Sequence, residues 1–156
     1  MSRRKRPDKR IALPDARYKS VEVQAFINRV MKNGKKSTAT RIVYGALDLI
    51  EKQKKGNPVE VFQAALKNVG PQMEVRPRRV GGATYQVPME VGAARQFALA
   101  SRWLISAARA RGGKSFAEKL AGELTEAAAG QGSSVRKKDE THKMAEANRA
   151  FSHYRI

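Results

Sequence analysis

Arg76, Arg78 and Arg79 crowd four positions beside Gly81-Gly82. Guanidinium groups at that density suit one kind of chemistry, because their planar, permanently charged forks donate paired hydrogen bonds to phosphate oxygens. A second set is spaced by sevens. At about 100° per residue, Arg95, Arg102 and Arg109 would fall within about 40° of one another on a helix, and no Asp or Glu occurs between positions 91 and 117. A face of mixed charge would be ordinary solvated surface, its aliphatic stems lying over the core. A row of arginines without acids fits phosphate contact better. Arg111 and Lys114, just past that segment, join the candidate set. A third cluster opens the chain, Arg3-Arg4-Lys5-Arg6 followed by Arg10, and a last base, Arg155, sits among aromatic residues at the end.

Other chemistries lack their residues. His142 and His153 have no partners at metal-ligand or nucleophile spacing, and neither lies in a pattern such as H-E-x-x-H. Gly81-Gly82 is neither a phosphate-binding loop nor a dinucleotide fingerprint, since it stands between two strand-like runs and precedes no helix. Asp139 and Glu140 are neighbours on a helix and point apart, so they make no acid–base pair. Without cysteine there is no disulfide, no thiolate nucleophile and no sulfur-liganded zinc. The reading is a non-enzyme with no cofactor, no metal and no small-molecule substrate.

Charge points the same way. Thirty-two Lys and Arg against fourteen Asp and Glu leave +18, with an isoelectric point near 10.7, beyond the value of about 9 that marks a nucleic-acid footprint. Anionic membrane is the weaker candidate: no apolar run approaches the roughly 18 residues of a span, and no apolar signal region follows the basic N-terminus. A cytosolic or organellar protein is expected. Residues 115–134 reverse the balance, one base against three acids, and are expected to face solvent or another protein. At 156 residues one domain should bury about 68–70% of its unfolded surface and needs no covalent staple.

The elements that position these cations follow from periodicity and caps. Residues 1–19 lack helical period, contain Pro7 and Pro14, and read as a basic tail that is disordered until it meets a polyanion. Ser20 caps a first helix carrying Val23, Phe26, Ile27, Val30 and Met31 on one face, stopped by Asn33-Gly34. A second helix sets Ala39, Ile42, Val43, Ala46, Leu47 and Ile50 at core spacing and ends by Gly56. Asn57-Pro58 starts a third, with Phe62, Ala65, Leu66 and Val69 inward and a stop at Gly70-Pro71. Residues 73–91 then alternate (Met73, Val75; Tyr85, Val87, Met89, Val91) about a glycine turn, the pattern of a hairpin. Pro77 and Pro88 cannot donate to a ladder, so the pair should be an isolated ribbon with free edges, supported from its base.

Residues 93–111 form the arginine-bearing helix, with Phe97, Ala100, Leu104 and Ala108 opposite the arginines and Trp103 at the core boundary rather than stacking on a base. Ser115 and Glu118 form a capping box for a fifth helix with Leu120, Ala121, Leu124, Ala127 and Ala128 inward. Gly130-Gln-Gly132 ends it, and a sixth runs from Ser133-Ser134 to about Ala150. Residues 151–156 mix aromatic and basic side chains, which suits stacking on irregular RNA as well as docking on the body through Phe151 and Tyr154. The expectation is a mainly α protein: a six-helix body over 20–150 with a two-stranded arm at 73–91, flanked by tails at 1–19 and 151–156. A DNA-bending arm would carry an apolar wedge at its tip, where this one offers only Val80. A protein-binding or membrane-surface module would leave +18 unused.

The run Glu74–Val91 resembles the signature hairpin of the bacterial form of the seventh small-subunit ribosomal protein family. Ile11–Asp15, Tyr18, Phe26–Asn28, Gly34–Lys36, Ile42–Tyr44, Arg102–Leu104, Lys143–Phe151 and His153–Arg155 extend the resemblance over nearly the whole chain. It implies a helical body with a protruding hairpin that binds the 3′ major domain of small-subunit ribosomal RNA, nucleates the head of the subunit, and lies near the exit-site tRNA and the mRNA path. By the same resemblance Lys35, Lys36, Arg76, Arg78, Arg79, Arg95 and Arg102 fall on RNA-facing positions, with the ninth and eleventh small-subunit proteins as neighbours, the latter near the C-terminal helix. Pro77, Gly92, Gln96 and Ile156 depart from the residues common in the family at their positions.

Overall fold

A computed structural model describes residues 12–54 and 56–154 of the chain. Among them are six α-helices, one antiparallel hairpin and a terminal 3₁₀ helix. Helix α1 spans Val21–Val30, with the Ser20 hydroxyl accepting from the Val23 amide at 3.4 Å. It ends sooner than Asn33-Gly34, because Met31 turns out to ψ 133°; Asn33 (φ 52°) and Gly34 (φ 70°) shape the loop that follows. Helix α2 (Lys36–Lys54) leads to α3 (Pro58–Val69), where Asn57 accepts from the Val59 amide and Gly70 closes the end. Strands β1 (Met73–Val80) and β2 (Ala83–Glu90) precede α4 (Ala93–Ala110), α5 (Phe116–Ala128, capped by Ser115) and α6 (Ser133–Ala147). The 3₁₀ helix covers Arg149–Tyr154.

Helix α5 is the central post, packed against α2, α3 and α4. Its Leu120, Ala121, Leu124 and Ala127 meet Val43, Leu47, Phe62, Leu66 and Leu104 in one core, in which Phe26 and Phe62 stand edge to face at 5.1 Å. The Ser115 cap, whose hydroxyl accepts from the Glu118 amide at 3.2 Å, and the 3.6-residue period place these residues, and each large apolar side chain fully withdrawn from water contributes about 1.5–3 kcal/mol. Ile42, expected inward, is only half-buried and borders a surface hollow.

The hairpin register is Val80↔Ala83 through Met73↔Glu90. A two-residue turn with both glycines at positive φ (58° and 88°) fixes it. The Val91 amide donates to the Gln72 carbonyl at 2.9 Å, so even-numbered positions of β1 carry the ladder bonds. Pro77 and Pro88 fall in the intervening pairs, whose amide positions point outward. The register also separates the two alternating apolar sets. Tyr85, Val87 and Met89 share a face with Arg78, Arg76 and Glu74, while Met73 and Val75 lie on the other. Helix α6 supports the base, where His142 Nε2 accepts from the Gln72 amide at 3.0 Å.

Both tails are shorter than expected. Asp15 is 3% exposed, and its carboxylate accepts from the amides of Arg17 (3.2 Å) and Tyr18 (3.0 Å) and from the Tyr44 hydroxyl (2.7 Å). That anchors the loop before α1 on α2, so residues 15–19 belong to the body. At the other end Tyr85 stacks on Tyr154 at 4.9 Å and meets Phe151 at 5.4 Å, so residues 151–154 dock on the arm. Arg3, Arg4, Lys5, Arg6 and Arg10 lie outside the described residues, as does Arg155.

Candidate nucleic-acid interface

Helix α4 carries Arg95, Arg102 and Arg109 on its exposed side, as the spacing predicts. Arg29 of α1 joins them. Its guanidinium sits 5.3 Å from the Phe97 ring centroid and reaches the Ala98 carbonyl at 3.5 Å. Burial, and then the charge of Arg102, lower its pKa from the ordinary arginine value. Two cations that raise each other's free energy gain when a phosphate comes between them. Sequence reasoning missed Arg29, since nothing local to α1 says that its last turn crosses α4.

The loop between α1 and α2 supplies the next cations. Lys32 and Lys35 meet Arg109 around a hollow of about 370 Å³ whose floor includes Val30, Ile42 and Phe116. Lys36 lies apart, with Arg17, Arg41 and Tyr44 in a shallow groove along α2. Lys114 is exposed in the α4–α5 loop.

On the arm, one buried acid organises two of the predicted arginines. Glu74 is 6% exposed; Arg76 Nε donates to its Oε1 at 2.6 Å and Arg95 Nη2 to its Oε2 at 3.2 Å. Arg76 and Arg95 are therefore held side by side with part of their charge offset, and the arm is tied to the start of α4. Arg79, on the opposite face, is exposed near the tip, Arg78 half-buried on the Tyr85 face. Gly81 and Gly82 meet nothing at the end of the arm, where Val80 is 39% exposed.

Arg111 leaves the surface set. Its Nη1 donates at 2.7 Å to both Glu123 and Glu126, and its Nη2 donates to Glu126. These bonds, Glu126 first, raise its pKa above the ordinary arginine value. Glu123, fully buried, also accepts from the Ser134 amide (3.1 Å) and hydroxyl (2.6 Å). The acidic stretch thus turns one of its three carboxylates, that of Glu123, inward to join α4, α5 and α6, against the expectation that it faces outward, while Glu126 pairs with Arg111 at the surface. The arginine is committed to this ion pair because the helix ends at Ala110, and the extended residue after it points across to α5.

A helical body that presents a row of arginines, only the first of them paired with an acid, and a basic ribbon beside it defines a scaffold for a polyanion. Among the described residues no group of His, Asp or Glu could hold a metal ion, and no helix is long and apolar enough to cross a membrane. Residues 2–149 match the family described as Ribosomal protein S7p/S5e. The chain is 59% identical, over 99% of both lengths, to the small ribosomal subunit protein uS7 of Methylorubrum populi. It is 61% identical to the protein of that name from Thioalkalivibrio sulfidiphilus, again over 99% of each. The chain belongs to the S7p/S5e family of ribosomal proteins.

Proposed function

We propose that the chain is a structural constituent of the small ribosomal subunit in the bacterial cytoplasm, a primary binder of the 3′ major domain of its RNA that nucleates assembly of the subunit head. The observation that carries this reading is the approach of Arg29 to Arg102 and the gathering of Lys32, Lys35 and Arg109 around a hollow that no carboxylate lines, cations from two helices and a loop. Lys36, Lys114, the arm arginines Arg76, Arg78 and Arg79, and Arg95 at the start of α4 extend it, and the basic residues Arg3, Arg4, Lys5, Arg6, Arg10 and Arg155 add charge. The helical body holds these groups at fixed separation, so shape rather than base sequence is recognised. The arm lies near exit-site tRNA and mRNA, the C-terminal helix region lies near the eleventh small-subunit protein, and the ninth is a further neighbour.

Competition binding at about 150 mM salt tests it, with a transcript of the 3′ major domain against random duplex DNA of equal length. A preference of about 10³ or more is expected, because charge alone gives only weak binding under those conditions. Equal affinity would refute the role and favour a DNA-architectural one.

A further inference from the structure

The hollow between the α1–α2 loop and the end of α4 has the composition of a site for an anion with a flat apolar face. Its floor is Val30, Ile42 and the half-buried Phe116; its rim is Lys32, Lys35 and Arg109; no carboxylate lines it. The volume of about 370 Å³ falls within the range of pockets that enclose small ligands, roughly 300–1,000 Å³. Three cations around an apolar floor repel one another until an anion arrives. A nucleotide meets both demands at once, since an unstacked base offers an apolar face for an aromatic side chain while its phosphate meets the rim. We propose that the pocket takes a single splayed-out nucleobase of the bound RNA against Phe116, with its flanking phosphate between Lys35 and Arg109. An acidic peptide would satisfy the rim and leave the floor without a matching flat surface.

This inference rests on the RNA-binding reading above, and the test separates the two. The Phe116→Leu variant keeps the apolar bulk at the start of α5 and removes the ring. Its Kd for the 3′ major domain transcript should rise about tenfold, with the salt slope unchanged because every cation of the rim stays in place. Ultraviolet cross-linking of small subunits reconstituted with the unaltered chain should leave a nucleotide on the tryptic peptide Ser115–Lys119. An unchanged Kd together with a nucleotide-free peptide, in a chain that still prefers the transcript, would overturn the pocket and leave the RNA reading standing. Cross-linking of that peptide to another ribosomal protein would overturn it in favour of a protein occupant. Loss of transcript preference in the unaltered chain would overturn both.

Discussion

Replacing Arg111 by Gln should weaken the fold without altering RNA binding, and replacing Arg109 by Gln should do the reverse, although the two arginines are neighbours but one. The Arg111 side chain is 28% exposed and that of Glu123 is 0%. Arg111→Gln would leave the Glu123 carboxylate with only its two bonds from Ser134. Removing one partner of a buried pair costs about 3–5 kcal/mol; with Arg111 part-exposed and Ser134 still in place, the low end, about 3 kcal/mol, is expected. At about 2–4 °C per kcal/mol for a chain of this size, Tm should fall by about 6–12 °C. A domain stable by about 5–15 kcal/mol still folds after that loss. Arg109 is exposed and holds no buried carboxylate, so its replacement should move Tm by no more than about 1–2 °C. In filter binding to the transcript between about 50 and 200 mM salt, the slope of log K against log salt should drop by about 0.7–0.9 for Arg109→Gln and stay level for Arg111→Gln. A lowered slope for Arg111→Gln with its Tm intact would refute the commitment of that arginine to the ion pair with Glu123 and Glu126.

The double variant Arg78→Ala with Arg79→Ala should flatten the same salt dependence by roughly one unit for each phosphate no longer neutralised; an unchanged slope would refute a phosphate role for that pair. Arg111, against a smaller opposing effect of burial, holds the Glu126 carboxyl below its usual pKa of 4.5. A depressed folded-state pKa contributes stability that is present above 4.5 and lost as pH falls through the folded value. The urea midpoints of the wild type and Glu126→Gln should therefore differ at neutral pH and converge below about pH 4.5, whereas a gap constant down to pH 3 would contradict the linkage. Asp15→Ala removes the acceptor for two amides and the Tyr44 hydroxyl and should cost about 2–3 kcal/mol by urea denaturation; a loss under about 0.5 kcal/mol would mean that the loop before α1 is not anchored there.

Helices, caps and turn were legible because each depends on residues a few positions apart. Ser20, Asn57 and Ser115 cap where local chemistry predicts, and Gly81-Gly82 sets the hairpin. What escaped is long in sequence and short in space. Glu74 meets Arg95 across 21 positions, His142 meets Gln72 across 70, and Arg29 approaches the 97–102 turn of α4 from the first helix. No periodicity reports such encounters. Arg111 and Arg109 look alike as sequence, and only the direction in which the chain leaves α4 separates a core ion pair from a surface cation. The separation of Met73 and Val75 from Tyr85 and Val87 follows from an odd register sum, which the turn length determines and which alternation within each strand leaves open.

The outward placement of Pro77 and Pro88 bears on the life of the chain before assembly. A naked two-stranded ribbon is a template on which further strands can grow, and a freshly made basic protein would otherwise offer two such edges. With proline at an outward amide position on each strand, an incoming strand finds a missing donor and a blocking ring on either side. The arm is thereby kept from seeding self-association, and its edges stay closed to another copy of the chain.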